Sequence, residues 1–255
     1  MAPLIDTHCH LDVAEFDPDR AQVLARARAA GVGAIVVPGI DATSWPGLLD
    51  LCAAEPDLYP ALGLHPAYLE RHQDADLAAL ERMLADHRPL AVGEIGLDFH
   101  DRDADRERQL ALCRAQLAIA RAADLPVLLH VRKAHEDMLR LLANAGVRGG
   151  IAHAFNGSLQ QAHRYLDLGL KLGFGGMLTF ERSSKLRRLA GELPGDAIVL
   201  ETDAPDLTVA SHRYQRNSPE YLPEVLAALA EVRAAEPAEL AAQTSANARA
   251  VLDLD

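Results

Sequence analysis

An α/β fold, a closed (β/α)8 barrel, is what this sequence predicts, and three observations carry it. Short apolar runs alternate eight times with helix-patterned stretches, at intervals of about 25 to 35 residues, as parallel βα units require. The chain has 255 residues, close to the roughly 250 at which such barrels run undivided. An open doubly wound sheet would normally show a Gly-rich phosphate turn after its first strand, and here that position reads His8-Cys9-His10. No linker-like stretch interrupts the alternation, so residues 1–255 are expected to form one domain.

The first apolar run, from Leu4, ends in that His-x-His pair. An Ala/Arg-rich helix from Ala21 to Ala30 follows and closes at Gly31. Ala34 to Pro38 is the second strand, with a helix from Thr43 to Glu55. Leu58 to Leu64 is a third, poorer strand ending at His65-Pro66, and Asp74 to His87 reads as helix. The fourth strand, Leu90 to Gly96, contains Glu94 and leads to a long helix from Asp103 to Ala123. Pro126 to His130 is the fifth, followed by helix His135 to Ala145. Gly150 to His153 is a brief sixth, before helix Leu159 to Leu168. Leu170 to Phe174 is the seventh, before helix Ser184 to Glu192. Ala197 to Asp203 is the eighth, and helices from Pro219 to Ala234 and Pro237 to Leu252 finish the chain.

Composition narrows the function. Lys and Arg number 25 against 37 Asp and Glu, a net charge of −12, whereas a plain nucleic-acid coat protein is basic. Any nucleic-acid substrate must therefore be attracted locally. No apolar run approaches the about 18 residues that a membrane span needs. The N-terminus lacks a basic n-region and enters a strand at once, which predicts no signal peptide. Cys9, Cys52 and Cys113 form no CxxC pair, which favours a reducing, cytoplasmic setting. Nothing marks an obligate protein partner.

The chemistry starts at Glu94. A lone carboxylate in an apolar strand costs several kcal/mol unless a cation or strong donors meet it, and the strand itself offers no Lys or Arg. His8, His10, His130, His153 and Asp203 also stand at the ends of apolar runs, on strands 1, 5, 6 and 8. In a barrel those ends converge on the face that carries the active site. Residues two apart on a strand share a side, so His8 and His10 can face one ion while Cys9 points away as filler. Any one of these histidines alone would more simply cap a strand, but six groups on one rim do not suit that reading. Four imidazoles and two carboxylates exceed a single tetrahedral ion and suit two divalent ions sharing a carboxylate. Glu94 is the expected bridge, with His8, His10 and Asp203 on one side and His130 and His153 on the other. Asp203 is also the candidate proton acceptor for the attacking water, so Asp203 and Glu94 are the expected catalytic carboxylates.

Around them, His65 could donate to a phosphate oxygen or simply be fixed in a turn by Pro66. Arg132, two residues past His130, suits phosphate recognition. Arg213, Arg216 and Asn217, after strand 8, could hold a nucleic-acid backbone or be solvated loop residues. Glu201 is expected inside the barrel, partnering a ligand histidine. His72, His87, His135, His163 and His212 read as surface or helix residues, and Lys185, Arg187 and Arg188 as a solvated basic face.

Seven segments, in order, cover nearly the whole chain: Ile5-Asp-Thr-His-Cys-His-Leu, Ala61-Leu-Gly-Leu-His-Pro, Val92-Gly-Glu-Ile-Gly-Leu-Asp, Leu129-His-Val-Arg, His153-Ala-Phe-Asn-Gly, Leu200-Glu-Thr-Asp-Ala-Pro and Arg216-Asn-Ser-Pro. As a set they resemble the motif series of TatD-type metal-dependent deoxyribonucleases. The resemblance implies a TIM barrel of the metal-dependent hydrolase type and a two-metal site on the same six residues. It also implies phosphodiester hydrolysis, 3′-to-5′ on DNA ends, supported by magnesium or a similar ion. The nitrogen-rich donor set itself suits zinc or manganese better than magnesium. Departures from the family pattern, such as Val131 after the strand-5 histidine and the segment 206–214, fall in loops over the site. The alternative on the same scaffold is an amidohydrolase or lactonase acting on a small amide or ester. Many of those bridge their metals with a carbamylated lysine on strand 4, where this chain has Glu94. A non-catalytic barrel is disfavoured by the intact ligand set.

Overall fold

Eight parallel strands follow one another around a ring in strict sequence order in the computed structural model, which describes residues 2–254. They are β1 (Leu4–Asp6), β2 (Val32–Pro38), β3 (Leu58–Leu62), β4 (Ala91–Asp98), β5 (Val127–Arg132), β6 (Gly150–Ala152), β7 (Leu170–Phe174) and β8 (Ile198–Leu200). Between them run α1 (Arg20–Ala29), α2 (Trp45–Ala54), α3 (Asp74–His87), α4 (Arg106–Ala123), α5 (His135–Ala145), α6 (Leu159–Asp167) and α7 (Ser184–Glu192). After β8 come α8 (Leu222–Arg233) and α9 (Pro237–Leu252). The predicted (β/α)8 barrel is thus the observed fold. The seam between β8 and β1 is closed by the Thr7 amide and hydroxyl, which both donate to the Leu200 carbonyl at 3.0 Å.

Apolar side chains divide into two sets, as strand alternation demands. Leu62, Leu97, Leu129 and Leu172 belong to the large core shared with the helices. Ile5, Val36, Ala61, Leu128, Ile151 and Val199 form a smaller cluster with Ala248 and Leu252 of α9. Helix α9 is pinned where strands begin: Asn247 Nδ2 donates to the Gly195 and Ile198 carbonyls, and Ser245 to the Pro3 carbonyl. The opposite mouth is left for the polar residues.

Three local departures from the predicted elements matter. β1 and β8 stop early, at Asp6 and Leu200, so His8, His10 and Asp203 stand on the loops that follow their strands. Glu94 is not at the end of β4 but inside it, since the strand continues to Asp98. And β4 slips against β5: Val92 pairs with Val127 but Ile95 with Leu129, leaving one extra residue on β4. Such a bulge re-aims a side chain, and here it lies at Gly93-Glu94. Gly96, at φ +145°, then passes so close to β5 that a Cβ would stand 2.0 Å from the His130 carbonyl oxygen. Only glycine fits there.

Candidate active site

At the carboxyl mouth, the bulge turns Glu94 inward, buried and with two oxygens that face different partners. Oε2 lies 3.1 Å from His8 Nε2 and 3.4 Å from His10 Nε2. Oε1 lies 2.9 Å from His130 Nδ1, 3.1 Å from His153 Nε2 and 3.2 Å from His65 Nε2. Asp203 Oδ1 approaches His8 and His10 at 3.8 and 3.7 Å. The structure therefore brings all six predicted ligand residues together, and adds His65 to the Oε1 side. Three groups have donor atoms mutually close enough to hold an ion: His8, His10 and Asp203; His8, Glu94 and His153; and His65, Glu94 and His130.

Hydrogen bonds behind the rings decide which nitrogens are free. His10 Nδ1 faces the Pro38 carbonyl at 3.2 Å and must donate to it, which leaves Nε2 a bare lone pair 3.3 Å from His8 Nε2. His130 Nε2 meets Asp98 Oδ2 at 3.1 Å, so its Nδ1 is the open atom, in a carboxylate–histidine arrangement that supports metal ligation. His65 is the reverse case. Its Nδ1 accepts the Ala67 amide at 3.1 Å, so Nε2 carries the proton and the ring is a donor rather than a ligand. Lone pairs converging on a buried carboxylate, with no lysine or arginine among them, fit divalent cations as the missing positive charge.

Electrostatics agree with that crowding. Burial would by itself raise Glu94, but the surrounding His65, His8 and His153 hold it well below the usual carboxylate range. Burial, reinforced by His153, pushes His8 well below the ordinary imidazole value. His10 resists burial because Glu94 and Asp203 face it, and it rises to about 9. Burial raises Asp203 to about 6, with His153 and His10 opposing.

Supporting residues tie the loops together. Asp6, fully buried and raised to about 7 by desolvation against its hydrogen bonds, accepts the Thr202 amide and hydroxyl and the His8 amide. It thereby joins the loop bearing His8 to the one bearing Asp203. Glu201 Oε1 accepts the Ala154 amide and lies 3.7 Å from His153 Nδ1. Room for that carboxylate comes from Gly173, where a Cβ would stand 2.0 Å from Glu201 Oε2.

Two expected substrate contacts are corrected. Arg216 does not reach the site: it pairs with both carboxylate oxygens of Asp19 at 2.8 and 2.7 Å and lies over the Phe16 ring at 4.5 Å. Asn217 is fully buried; its Nδ2 donates to the Thr202 and Asp206 carbonyls and its Oδ1 accepts the Ser218 amide, so no polar atom remains for a ligand. It anchors the Asp203 loop instead. Arg132 stays on the rim, half-exposed and 4.0 Å from Asp98. Arg213 stacks on the exposed Tyr214. Lys185 turns out to line a cavity beside the cluster, while Arg187 and Arg188 pair with Glu231 and Glu192. His72 and His135 are buried rather than superficial, His72 against the His65 carbonyl and His135 between Tyr165 and Asn156. Sequence reasoning gave no role to Asp6 or Asp98. The sole signal was an acidic residue inside an apolar strand and a second carboxylate four residues past Glu94.

A (β/α)8 barrel whose carboxyl mouth gathers imidazoles and carboxylates defines a metal-dependent hydrolase. The chain belongs to the TatD family: the model for TatD related DNases matches residues 5–253. It is 44% identical over 247 residues to the metal-dependent hydrolase YjjV of Escherichia coli K12, covering 95% of each chain. The crystal structure of YjjV, a TatD homologue, superposes with a TM-score of 0.96 at 41% identity, over 99% of this chain and 98% of that one. The 3'-5' ssDNA/RNA exonuclease TatD of Erwinia tasmaniensis is 34% identical over 259 residues, covering 98% of this chain and all of that protein.

Proposed function

We propose that this hydrolase is a 3′-to-5′ exonuclease of single-stranded DNA ends, working in the cytoplasm as one domain without an obligate partner. Two divalent ions would be held by His8, His10, Glu94, His130, His153 and Asp203. One observation carries the reading: the two oxygens of the buried Glu94 each face their own set of imidazole nitrogens. A single carboxylate serving two donor sets is what a shared bridge requires. Transition metals such as zinc or manganese suit these nitrogens, and magnesium could serve in assays. Kinship with proteins named for exonuclease activity supports the choice of nucleic acid over a small ester or amide.

Bound ions would lower the pKa of water and offset charge on the phosphoryl oxygens. The chain's own residues do the rest. Asp203, beside His8 and His10, takes the proton from the attacking water. The His65 Nε2–H donates to a phosphoryl oxygen as charge grows there. Arg132, with its guanidinium on the rim, holds a neighbouring phosphate. Asp98 and Pro38 fix the rings of His130 and His10, and Asn217 fixes the loop that carries Asp203.

The test is digestion of 5′-labelled single-stranded DNA with and without chelator. Expected are products shortened progressively from the 3′ end, lost in EDTA and restored by manganese or magnesium. Asp203→Asn should lower turnover at least a thousandfold while the circular dichroism spectrum stays that of the parent. No shortening with any divalent ion, or shortening indifferent to chelator, would overturn the reading.

A further inference from the structure

A cavity of about 690 Å³ opens directly onto the cluster, reaching His130, His153 and Asp203 at its inner end. Its size falls within the range of small-molecule sites. The metal-dependent chemistry itself needs only the inner end, so the remainder asks for an occupant.

The walls are apolar. Phe155 and Phe174 form the floor, and Met177 and Leu207 the flanks. Among the described residues, the exposed large hydrophobic side chains are Met177 (37%), Leu207 (40%) and Tyr214, so two of the three line this one recess. Loose apolar side chains around a recess offer faces to a flat ring without demanding a hydrogen-bonding pattern.

Its outer end is cationic. Arg182 lines it and, among the described residues, makes no ion pair; its guanidinium lies 5.4 Å from the Phe180 ring centre. Lys185 spends one donor on the Asn156 carbonyl at 2.9 Å and keeps the others. Both belong to the turn that starts α7, whose first amides also lie at this end; Ser183 there gives no side-chain cap. On a chain of net charge −12, cations left without carboxylates beside the cluster are informative.

We infer that this cavity is the subsite for one unpaired nucleotide, its base between Met177 and Leu207 and its next phosphate at Arg182 and Lys185. The inference rests on the nuclease reading above and deepens it. A paired, stacked base cannot enter such a recess without leaving its duplex, which costs a few kcal/mol. Single strands and frayed ends are therefore the preferred substrate, with little preference for base identity because the walls are apolar.

The experiment uses the metal-loaded full chain and end-labelled oligothymidylate, alone or annealed to oligoadenylate as a blunt duplex. The parent enzyme should favour the single strand at least tenfold in kcat/KM. The double variant Arg182→Ala/Lys185→Ala should raise KM for the single strand at least tenfold with kcat within threefold. The slope of log KM against log salt should become shallower, as expected when phosphate contacts are lost. Met177→Trp, which fills the recess, should erase the preference for the single strand. Arg121→Ala, which removes a cation from α4 on the outer face, should change neither KM nor slope. If the parent degrades DNA but the double variant keeps its KM and salt slope, the subsite is overturned while the nuclease reading stands. If the parent degrades no DNA with any divalent ion, both fall.

Discussion

Neighbouring side chains in this site carry opposite duties, and single substitutions should separate them. His65 is held as a donor by the Ala67 amide, whereas His130 is held as a lone-pair bearer by Asp98. His65→Gln should therefore cut turnover by about 10²-fold, the loss typical of one oxyanion donor, and leave bound metal per chain unchanged. Asp98→Asn should instead weaken metal affinity about 10- to 100-fold. Titration calorimetry with manganese reads the two apart. Arg216 gives a third contrast. Because it pairs with Asp19, Arg216→Ala should lower stability by about 1 kcal/mol, read by chemical denaturation, and leave KM for DNA unaltered. Glu94 was readable in advance because its burial demanded compensation. Asn217 was not, because whether a loop amide faces ligand or its own backbone depends on the loop's path.

Elements position these residues, and small devices position the elements. The bulge in β4 decides where Glu94 points, and strand alternation alone does not reveal it. The same slip explains why Asp98 reaches His130 from a strand expected to end sooner. Lys185 shows the converse limit: its basic neighbours suggested a solvated helix face, and only the packing of α7 against the β6 and β7 loops turns it into the cavity. Ahead of α2, Asp41 accepts the Thr43 and Ser44 amides and an Arg71 ion pair. Although burial opposes it, these bonds hold Asp41 below its ordinary carboxylate value. A depressed folded pKa means the stabilisation is complete above the unfolded value of about 3.9 and is lost as pH falls through the folded one. Asp41→Asn should thus cost about 1 kcal/mol at pH 7, in the range of lost caps. The gap between variant and parent should close in acid below about pH 4. Denaturant midpoints across pH measure this.

For the whole molecule, the barrel was evident because eight repeats of one pattern leave few alternatives, and local errors in strand ends did not alter the ring. The ring in turn made distant residues neighbours, which is why a ligand set scattered from His8 to Asp203 could be assembled without coordinates. The seam needs more than its short strands: β1 and β8 meet through Thr7, and beyond it Asp6 and the His8 carbonyl hold Thr202 and Asp203. Ligands on both sides of that seam would be drawn together by shared ions. At a free metal concentration a hundred times Kd, binding to the folded state alone is worth about 2.7 kcal/mol. Calorimetry should therefore find the melting temperature several degrees higher for loaded than for chelated protein, and an unchanged value would deny the ions a part in closure.

The same seam sets an order of events during synthesis. His8 and His10 leave the ribosome among the first residues, but Asp203, and the Thr202 that Asp6 grips, emerge only near the end. No nascent fragment shorter than that carries the complete donor set, so the hydrolytic centre is born switched off and matures only when the ring can shut.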